Sequence, residues 1–410
     1  MQRSAADVVL IADDLSGAAE SAAALLHAEP DVPVHLLSRN GAAPRLDPSK
    51  PAVIDTNSRT ATASELPRLL DAIRPALDGR DVVVRKVDSL LRGHFAAETE
   101  WMLGLGRPVL FAPALPSAGR TVRQGRVLVD GVPLAETSTW AIESARAPET
   151  LLKSFSVPTQ LLSLDLVRAE PEQFSAAIAE APGMIVCDAE STEDLRRIAA
   201  AALSFDEPPV LVGAGALVFA VAEELAPTTP SALRPAPMPT QVSFVIGTAE
   251  PGARRQVHRL ETAGATVLRL SPNALLDGGP ALRSELAHAL AQPVSVVTFD
   301  HASGFDPAKS AELAGALAQA LDDAAALSAD TSFILSGGQT ARAVLDQWGA
   351  RTLTIYREID RGTAQGLTDG GIPVITRPGS FGDADSLVRI ARELSGSTAS
   401  NINFPREVTR

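Results

Sequence analysis

Residues 82–112 read VVVRKVDSLLRGHFAAETEWMLGLGRPVLFA, and the fold is decided here. An apolar run rich in β-branched residues, Val82–Val87, leads into a charged cluster. An amphipathic stretch, Phe95–Leu105, and a second apolar run, Val109–Ala112, follow. Strand, helix, strand in this order implies a parallel sheet covered on both faces. The same alternation extends outward through strands at Val8–Ala12, Val32–Leu37, Ala52–Asp55, Met184–Cys187 and Val210–Gly213, with helices at Ser64–Leu77 and Glu193–Leu203. An exception is Gly125–Thr137, where Asp130-Gly131 between short apolar runs reads as a hairpin.

Residues 226–241, APTTPSALRPAPMPTQ, hold five prolines in sixteen positions. Proline removes backbone donors and disfavours helix in its neighbour, so this segment reads as a linker. Beyond it the alternation resumes, with strands at Val242–Ile246, Thr266–Leu270, Val294–Phe299, Phe333–Leu335, Thr352–Tyr356 and Val374–Thr376. Helical stretches lie at Arg254–Thr262, Ala281–Ala291, Ala308–Leu327, Ala341–Trp348 and Leu387–Leu394. The expected organisation is an N-terminal domain over 1–226, a linker over 227–240, a C-terminal domain over 241–396 and a polar tail over 397–410. Each domain is an α/β unit with a mainly parallel sheet flanked by helices, and a cleft is expected between the two. Such an architecture suits a two-substrate enzyme and a closing binding protein equally well.

Composition narrows the function. The 410 residues are 45% hydrophobic but only 4% aromatic, so the cores are built from Ala, Val and Leu, which suits helices on parallel strands. Thirty-six Lys and Arg stand against 49 Asp and Glu, a formal charge of −13. With no basic run to offset that field, a nucleic-acid partner is not expected, whereas a local basic cluster can still hold a small anion. The single cysteine, Cys187, lies in an apolar strand and reads as a buried thiol rather than a nucleophile. An acidic residue interrupts MQRSAADVVLIADD too early for a signal peptide, and no run is long enough to span a membrane, so a cytoplasmic location is expected.

Charged residues gather where the strands end. Asp13-Asp14 close the first strand and stand at the start of a helix; either could take a proton from a substrate hydroxyl, or Asp14 could simply cap the helix. Lys86, Asp88, Ser89 and Arg92 stand at another strand end, where Lys86 and Asp88 point together unless the strand ends between them; Arg92 offers a planar fork suited to carboxylate or phosphate, with a structural ion pair as the alternative. Arg59, in IDTNSRT, is a third strand-end group. Arg120, Arg123 and Arg126, in a Gly- and Pro-rich stretch, read as an ordinary basic loop, with a functional loop over the cleft as the alternative.

In the second half, three strand-to-helix turns carry glycine: Gly247-Thr248, Ser336-Gly337-Gly338-Gln339-Thr340, and the run containing Gly379 and Gly382. Glycine lets backbone approach a phosphate, and a helix N-terminus adds N–H donors. None is a Walker loop or a dinucleotide fingerprint. The His and Cys residues show no metal-ligand spacing, so a metal is expected only as Mg²⁺ accompanying a nucleotide.

Taken together, these motifs resemble the four-carbon acid sugar kinase family over nearly the whole chain. Ile11 to Ala18 match I-A-D-D-x-T/S-G-A, and Lys86 to Gly93 match K-x-D-S-T-L-R-G with Leu90 in place of Thr. Pro113 to Gly125 match P-A-x-P-x-x-G-R-T-x-x-x-G. Ser336 to Thr340 match S-G-G-[ED]-T with Gln339 at the acidic position, and Arg377 to Gly382 match K-x-G-x-F-G with Arg for Lys. The resemblance implies a sugar-acid domain followed by an ATP domain, and transfer of the γ-phosphoryl to a hydroxyl of a threonate, erythronate or 3-oxo-tetronate. It implies that Asp13 and Asp14 act on the hydroxyl while Arg59, Lys86, Asp88, Ser89 and Arg92 bind the acid. Thr248, Ser336, Gly337, Gly338, Gln339, Thr340, Gly379 and Gly382 would face ATP, with Mg²⁺ on its phosphates. A kinase of another small polyol or hydroxy acid, and a non-catalytic solute-binding module, are the competing readings; the chain could be a monomer or a homodimer.

Overall fold

The structure is a computed structural model that describes residues 3–38, 43–137, 140, 147–226, 239–248, 251–300, 309–324, 330–379 and 381–395. All but the last two residues of the expected linker, and the whole of the polar tail, lie outside the described residues. The chain divides into two compact units, Met1–Ala232 and Leu233–Arg410.

In the first unit the chain runs β1 (Val8–Ala12), α1 (Leu15–Leu25), β2 (Val32–Leu36), β3 (Ala52–Asp55), α2 (Leu66–Leu77), β4 (Val82–Lys86), α3 (Phe95–Met102) and β5 (Val109–Ala112). A small antiparallel sheet follows, formed by β6 (Arg120–Arg123), β7 (Arg126–Val129) and β8 (Val132–Pro133). Then come β9 (Thr159–Leu162), α4 (Leu164–Val167), α5 (Pro171–Ala179), β10 (Met184–Cys187), α6 (Thr192–Leu203), β11 (Val210–Gly213) and α7 (Gly215–Glu224). The main strands lie in the order β2-β3-β1-β4-β11-β5-β10-β9, every pairing parallel. Every residue of β1, β4 and β11 is buried, as strands covered on both faces must be. The expected hairpin forms at Asp130-Gly131, both with positive φ (50° and 81°), the conformation a two-residue turn needs. A second such turn, Gln124-Gly125, joins β6 to β7.

The second unit contains β12 (Gln241–Ile246), α8 (Pro251–Thr262), β13 (Thr266–Leu270), α9 (Pro272–Asp277), α10 (Pro280–Leu290), β14 (Val294–Phe299) and α11 (Ser310–Ala324). It continues through β15 (Thr331–Ser336), α12 (Gly338–Gln347), β16 (Thr352–Asp360), β17 (Thr363–Thr368), β18 (Pro373–Arg377) and α13 (Ser386–Ser395). Strands β13-β14-β12-β15-β18 are parallel, and β17 and β16 extend the sheet antiparallel. Its core gathers Phe244, Ile246, Val257, Leu260, Val296, Ile334, Ile375 and Leu387 between sheet and helices.

Candidate active site

In the first unit β1 lies between β3 and β4, so three separate stretches of sequence deliver their charges to one carboxyl-end crevice. Asp13 and Asp14 follow β1, Arg59 follows β3, and Asp88 and Arg92 follow β4. Arg59 grips both oxygens of Asp13, Nε to Oδ2 at 2.8 Å and Nη2 to Oδ1 at 2.9 Å, and donates to Asp14 Oδ2 from Nη1 at 2.6 Å. Asp13 is buried, and burial alone would raise its pKa. The Arg59 guanidinium, with Arg85 and Lys86 behind it, outweighs burial and holds the carboxyl below its ordinary range. Asp14 also caps α1, accepting from the Gly17 N–H at 2.8 Å, so the capping role and a place at the crevice coexist in one side chain.

Asp88 and Arg92 form a second fork, with Nε to Oδ2 at 2.7 Å and Nη2 to Oδ1 at 2.9 Å. Burial opposes ionisation of Asp88, yet its bond with Arg92 prevails and drives its pKa far down. Between them, Leu91 has a left-handed backbone (φ 62°), a conformation uncommon for a residue other than glycine. Its N–H donates to the Asp88 carbonyl at 2.8 Å, closing the tight turn that aims Arg92 back at Asp88. Leu90 is 5% exposed, so its departure from the family's Thr falls on a buried position. The strand ends at Lys86, between it and Asp88, so the two share no strand face. Lys86 points under α1 instead: a Cβ on Gly17 would come within 2.5 Å of its Nζ, and Glu20 Oε2 lies 3.9 Å away.

A buried layer supports this crevice. Arg85, on the sheet face opposite Lys86, pairs with Glu98 of α3, which also accepts from Ser58; all three are 1% exposed or less. Ser58 is 2.8 Å from Thr56 Oγ1, which donates to the Ala12 carbonyl at 2.9 Å. The loop carrying Arg59 is thereby moored to β1, β4 and α3 together.

Arg120 joins the site too, although the sequence reads it as part of an ordinary basic loop. Its guanidinium donates to Ser89 Oγ, whereas Arg123 is mostly exposed and lies 3.5 Å from Glu190, and Arg126 is exposed. The signal available was Arg120's place in Gly119-Arg120-Thr121 of the matched loop motif; Arg120 is the first residue of β6.

The second unit repeats the design with backbone in place of charge. β12, β15 and β18 are neighbours, and their carboxyl ends carry the three glycine turns. Gly337 (φ 100°) donates its N–H to the Arg377 carbonyl at 3.0 Å and starts α12, whose N-terminus no side chain caps. A Cβ on Gly247 would overlap the hydroxyl of Thr340, and one on Gly379 would come within 2.9 Å of Thr248 Cβ. Ser336 and Thr340 are buried, and Gln339 is exposed. Arg377 is turned into the protein: it donates to Gln256 Oε1 at 3.0 Å and to the Phe381 carbonyl, and burial lowers its pKa to about 10. Gln256 donates in turn to the carbonyls of Phe381 and Gly382 at 3.0 and 3.1 Å, so a residue of α8 absent from the sequence reading holds the last turn in place. Beside Thr248 opens a cavity of about 200 Å³, also lined by Arg254, Thr298 and Asp300. A cavity of about 530 Å³ lined by Arg3, Glu29, Leu203 and Glu224 contains none of these residues; chemistry, not size, marks the site. Among the described residues no group of three or more His, Cys, Asp or Glu is arranged to hold a metal, and no helix is long and apolar enough to cross a membrane.

Comparison with known proteins matches a family model to each unit. A sugar-binding N-terminal domain matches residues 8–221, and a nucleotide-binding C-terminal domain matches 244–387. The D-threonate kinase of Cupriavidus necator is 31% identical, over 95% of this chain and 99% of that protein. The chain belongs to the four-carbon acid sugar kinase family. A D-threonate kinase of Bordetella bronchiseptica is 28% identical over 94% of this chain and 96% of its own length. A 3-oxo-tetronate kinase of Pseudomonas fluorescens is 27% identical over 85% and 87%. A crystal structure from Salmonella typhimurium LT2 shares the fold, with a TM-score of 0.77 at 20% identity, covering 94% of this chain and 99% of that one. As a member of this kinase family the chain is a phosphotransferase acting on a sugar acid.

Proposed function

We propose that this kinase transfers the γ-phosphoryl group of ATP to a hydroxyl of a four-carbon sugar acid of the threonate, erythronate or 3-oxo-tetronate class. The observation that carries the reading is the convergence of Asp13, Asp14, Arg59, Asp88 and Arg92 at adjacent strand ends, joined by Arg120 from the start of β6. Three glycine turns packed on one another in the other unit supply the nucleotide half. In the transfer, the hydroxyl oxygen forms a bond to the γ-phosphorus while the bond to the β–γ bridging oxygen breaks, and ADP leaves. Such chemistry asks for position and charge neutralisation rather than a covalent intermediate.

Arg59 engages both oxygens of Asp13, whose side chain is only 3% exposed, so Asp13 serves to hold the guanidinium rather than to meet a substrate. Asp14, its side chain 17% exposed, is the carboxylate that orients the attacking hydroxyl and takes its proton. The backbone N–H groups at the start of α12 and the turns at Gly247 and Gly379 fit phosphate oxygens. Mg²⁺ accompanying the nucleotide would supply further neutralisation of charge. Asp14→Asn retains an oxygen for the cap but cannot accept the proton, so turnover is expected to fall at least ~10²-fold with the fold intact. The test is Mg·ATP consumption over D- and L-threonate, D- and L-erythronate and the 3-oxo-tetronates. Near-normal turnover by the folded variant removes Asp14 from this role, and silence of the wild type across the panel overturns the substrate class.

A further inference from the structure

Resting on that reading of the crevice, a count of its charges shows which cation has an unmet need. Arg59 is matched by Asp13 and Asp14, and Arg92 is matched by Asp88 in a two-point fork. Lys86 has Glu20 at 3.9 Å. Arg120 alone among these four has no carboxylate within 4.0 Å among the described residues. It rests on the neutral hydroxyl of Ser89, and its Nε, enclosed by protein, has no hydrogen-bond partner. Desolvating a guanidinium without a counter-charge is unfavourable, and an arriving anion relieves that penalty. The pKa of Arg120 is accordingly lowered, first by burial, with Asp88 and more weakly Asp130 only partly opposing it and Arg92 adding to it.

The backbone under Arg120 is held on both sides. Arg120 exchanges two hydrogen bonds with Leu115, at 2.7 and 3.1 Å. Val122 exchanges two with Ala189, at 2.8 and 3.0 Å. Asp188, at the end of β10, accepts the N–H groups of Gln124 and Gly125 at 2.8 Å each, clamping the turn between β6 and β7. A guanidinium presented from so fixed a base loses little freedom on taking a ligand.

We propose that Arg120, steadied by Ser89, is the residue that binds the carboxylate of the sugar acid, whereas Arg59 and Arg92 organise the site's own aspartates. With Nε enclosed, a carboxylate meets Arg120 end-on, at two points through Nη1 and Nη2. Ser89 accepts from Arg120, so its own proton remains available to donate to the same carboxylate.

The test compares wild type, Arg120→Met, Arg120→Lys and Ser89→Ala by steady-state kinetics with Mg·ATP. The acceptors are D-threonate and D-threitol, a neutral four-carbon polyol without the carboxylate. Losing a charge-assisted contact is expected to raise the KM for the acid about 10- to 150-fold in Arg120→Met. Arg120→Lys should lose less, and the KM for ATP should stay put. The penalty on threitol should be much smaller, so the preference for acid over polyol narrows. An unchanged acid KM in Arg120→Met, or an equal penalty on both acceptors, overturns the assignment. Thermal shifts with D-threonate alone separate this proposal from the kinase reading. Stabilisation of wild type but not of Arg120→Met, without turnover, upholds the anion site while the acceptor assignment falls. Turnover with the Arg120 variants indistinguishable from wild type in both assays leaves the kinase standing and removes Arg120 from it.

Discussion

Glu98→Ala probes the layer beneath the crevice. Arg85 is wholly buried and Glu98 is 1% exposed, so removing the carboxylate strands a guanidinium inside the protein and deprives Ser58 of its acceptor. Breaking a buried pair from one side costs about 3–5 kcal/mol, because the remaining charge has neither water nor partner. For a unit of this size, about 2–4 °C is lost per kcal/mol, so the midpoint of thermal unfolding is expected to fall by ~6–20 °C. Arg85→Met combined with Glu98→Leu removes both charges and should recover most of that loss, since replacing a buried pair with apolar side chains is often neutral. Urea titration followed by circular dichroism gives the free energies, and scanning calorimetry the midpoints. A Glu98→Ala protein within about 1 kcal/mol of wild type would refute the reasoning, as would a double variant no more stable than the single one. The mooring of the 56–59 loop adds a functional consequence: the double variant, though stable, should bind the sugar acid less well, because Ser58 has lost the acceptor that fixes Arg59 opposite Asp13.

Two further expectations concern acid stability and the nucleotide turns. The folded-state pKa values of Asp13, Asp88 and Asp194 all lie below their ordinary values; for Asp194, burial is outweighed by Arg168 and by local N–H donors, leaving about 2. Each contributes stability that is complete above the unfolded pKa of ~3.9 and lost as pH falls through the folded one, so stability should decline from about pH 4 towards 2. Asp194→Asn should be less stable at neutral pH with a shallower acid decline, and an unchanged slope would exclude Asp194 as a contributor. Gly379→Ala sets a methyl 2.9–3.2 Å from the atoms of Thr248. That overpacking costs about 1–3 kcal/mol and should raise the KM for ATP while sparing that for the sugar acid; the opposite pattern contradicts a nucleotide role for this turn.

Much of this molecule is determined by short-range sequence. Runs such as VVLIA and VVVRK are buried along their whole length, and the alternation with helices leaves a parallel sheet as the consistent outcome. Asp130-Gly131 specifies its hairpin because a two-residue turn needs positive φ at both positions. The clustering of charges and glycines at strand ends is likewise legible, since each lies within a few residues of an apolar run. Weakly patterned strands were not: β9, TQLL, and β17, TAQGLT, carry little periodic signal and are stabilised by their neighbours in the sheet.

Partnership was the part that only tertiary structure decided. Arg59 meets Asp13 across 46 residues, and Asp188 clamps a turn 63 and 64 residues away. Gly247 must be small because Thr340 packs against it. Arg59, Arg92 and Arg120 look alike in the sequence as strand-end or loop arginines. Arg92 finds Asp88 four residues back in its own turn, but whether Arg59 and Arg120 are matched by a carboxylate or left with a hydroxyl follows from which distant segments the fold sets beside them. Local pattern reports how a segment repeats and how deeply it is buried; the partners of Arg59 and Arg120 are non-local, and the sheet order β3-β1-β4 and the clamp on β6 and β7 settle them.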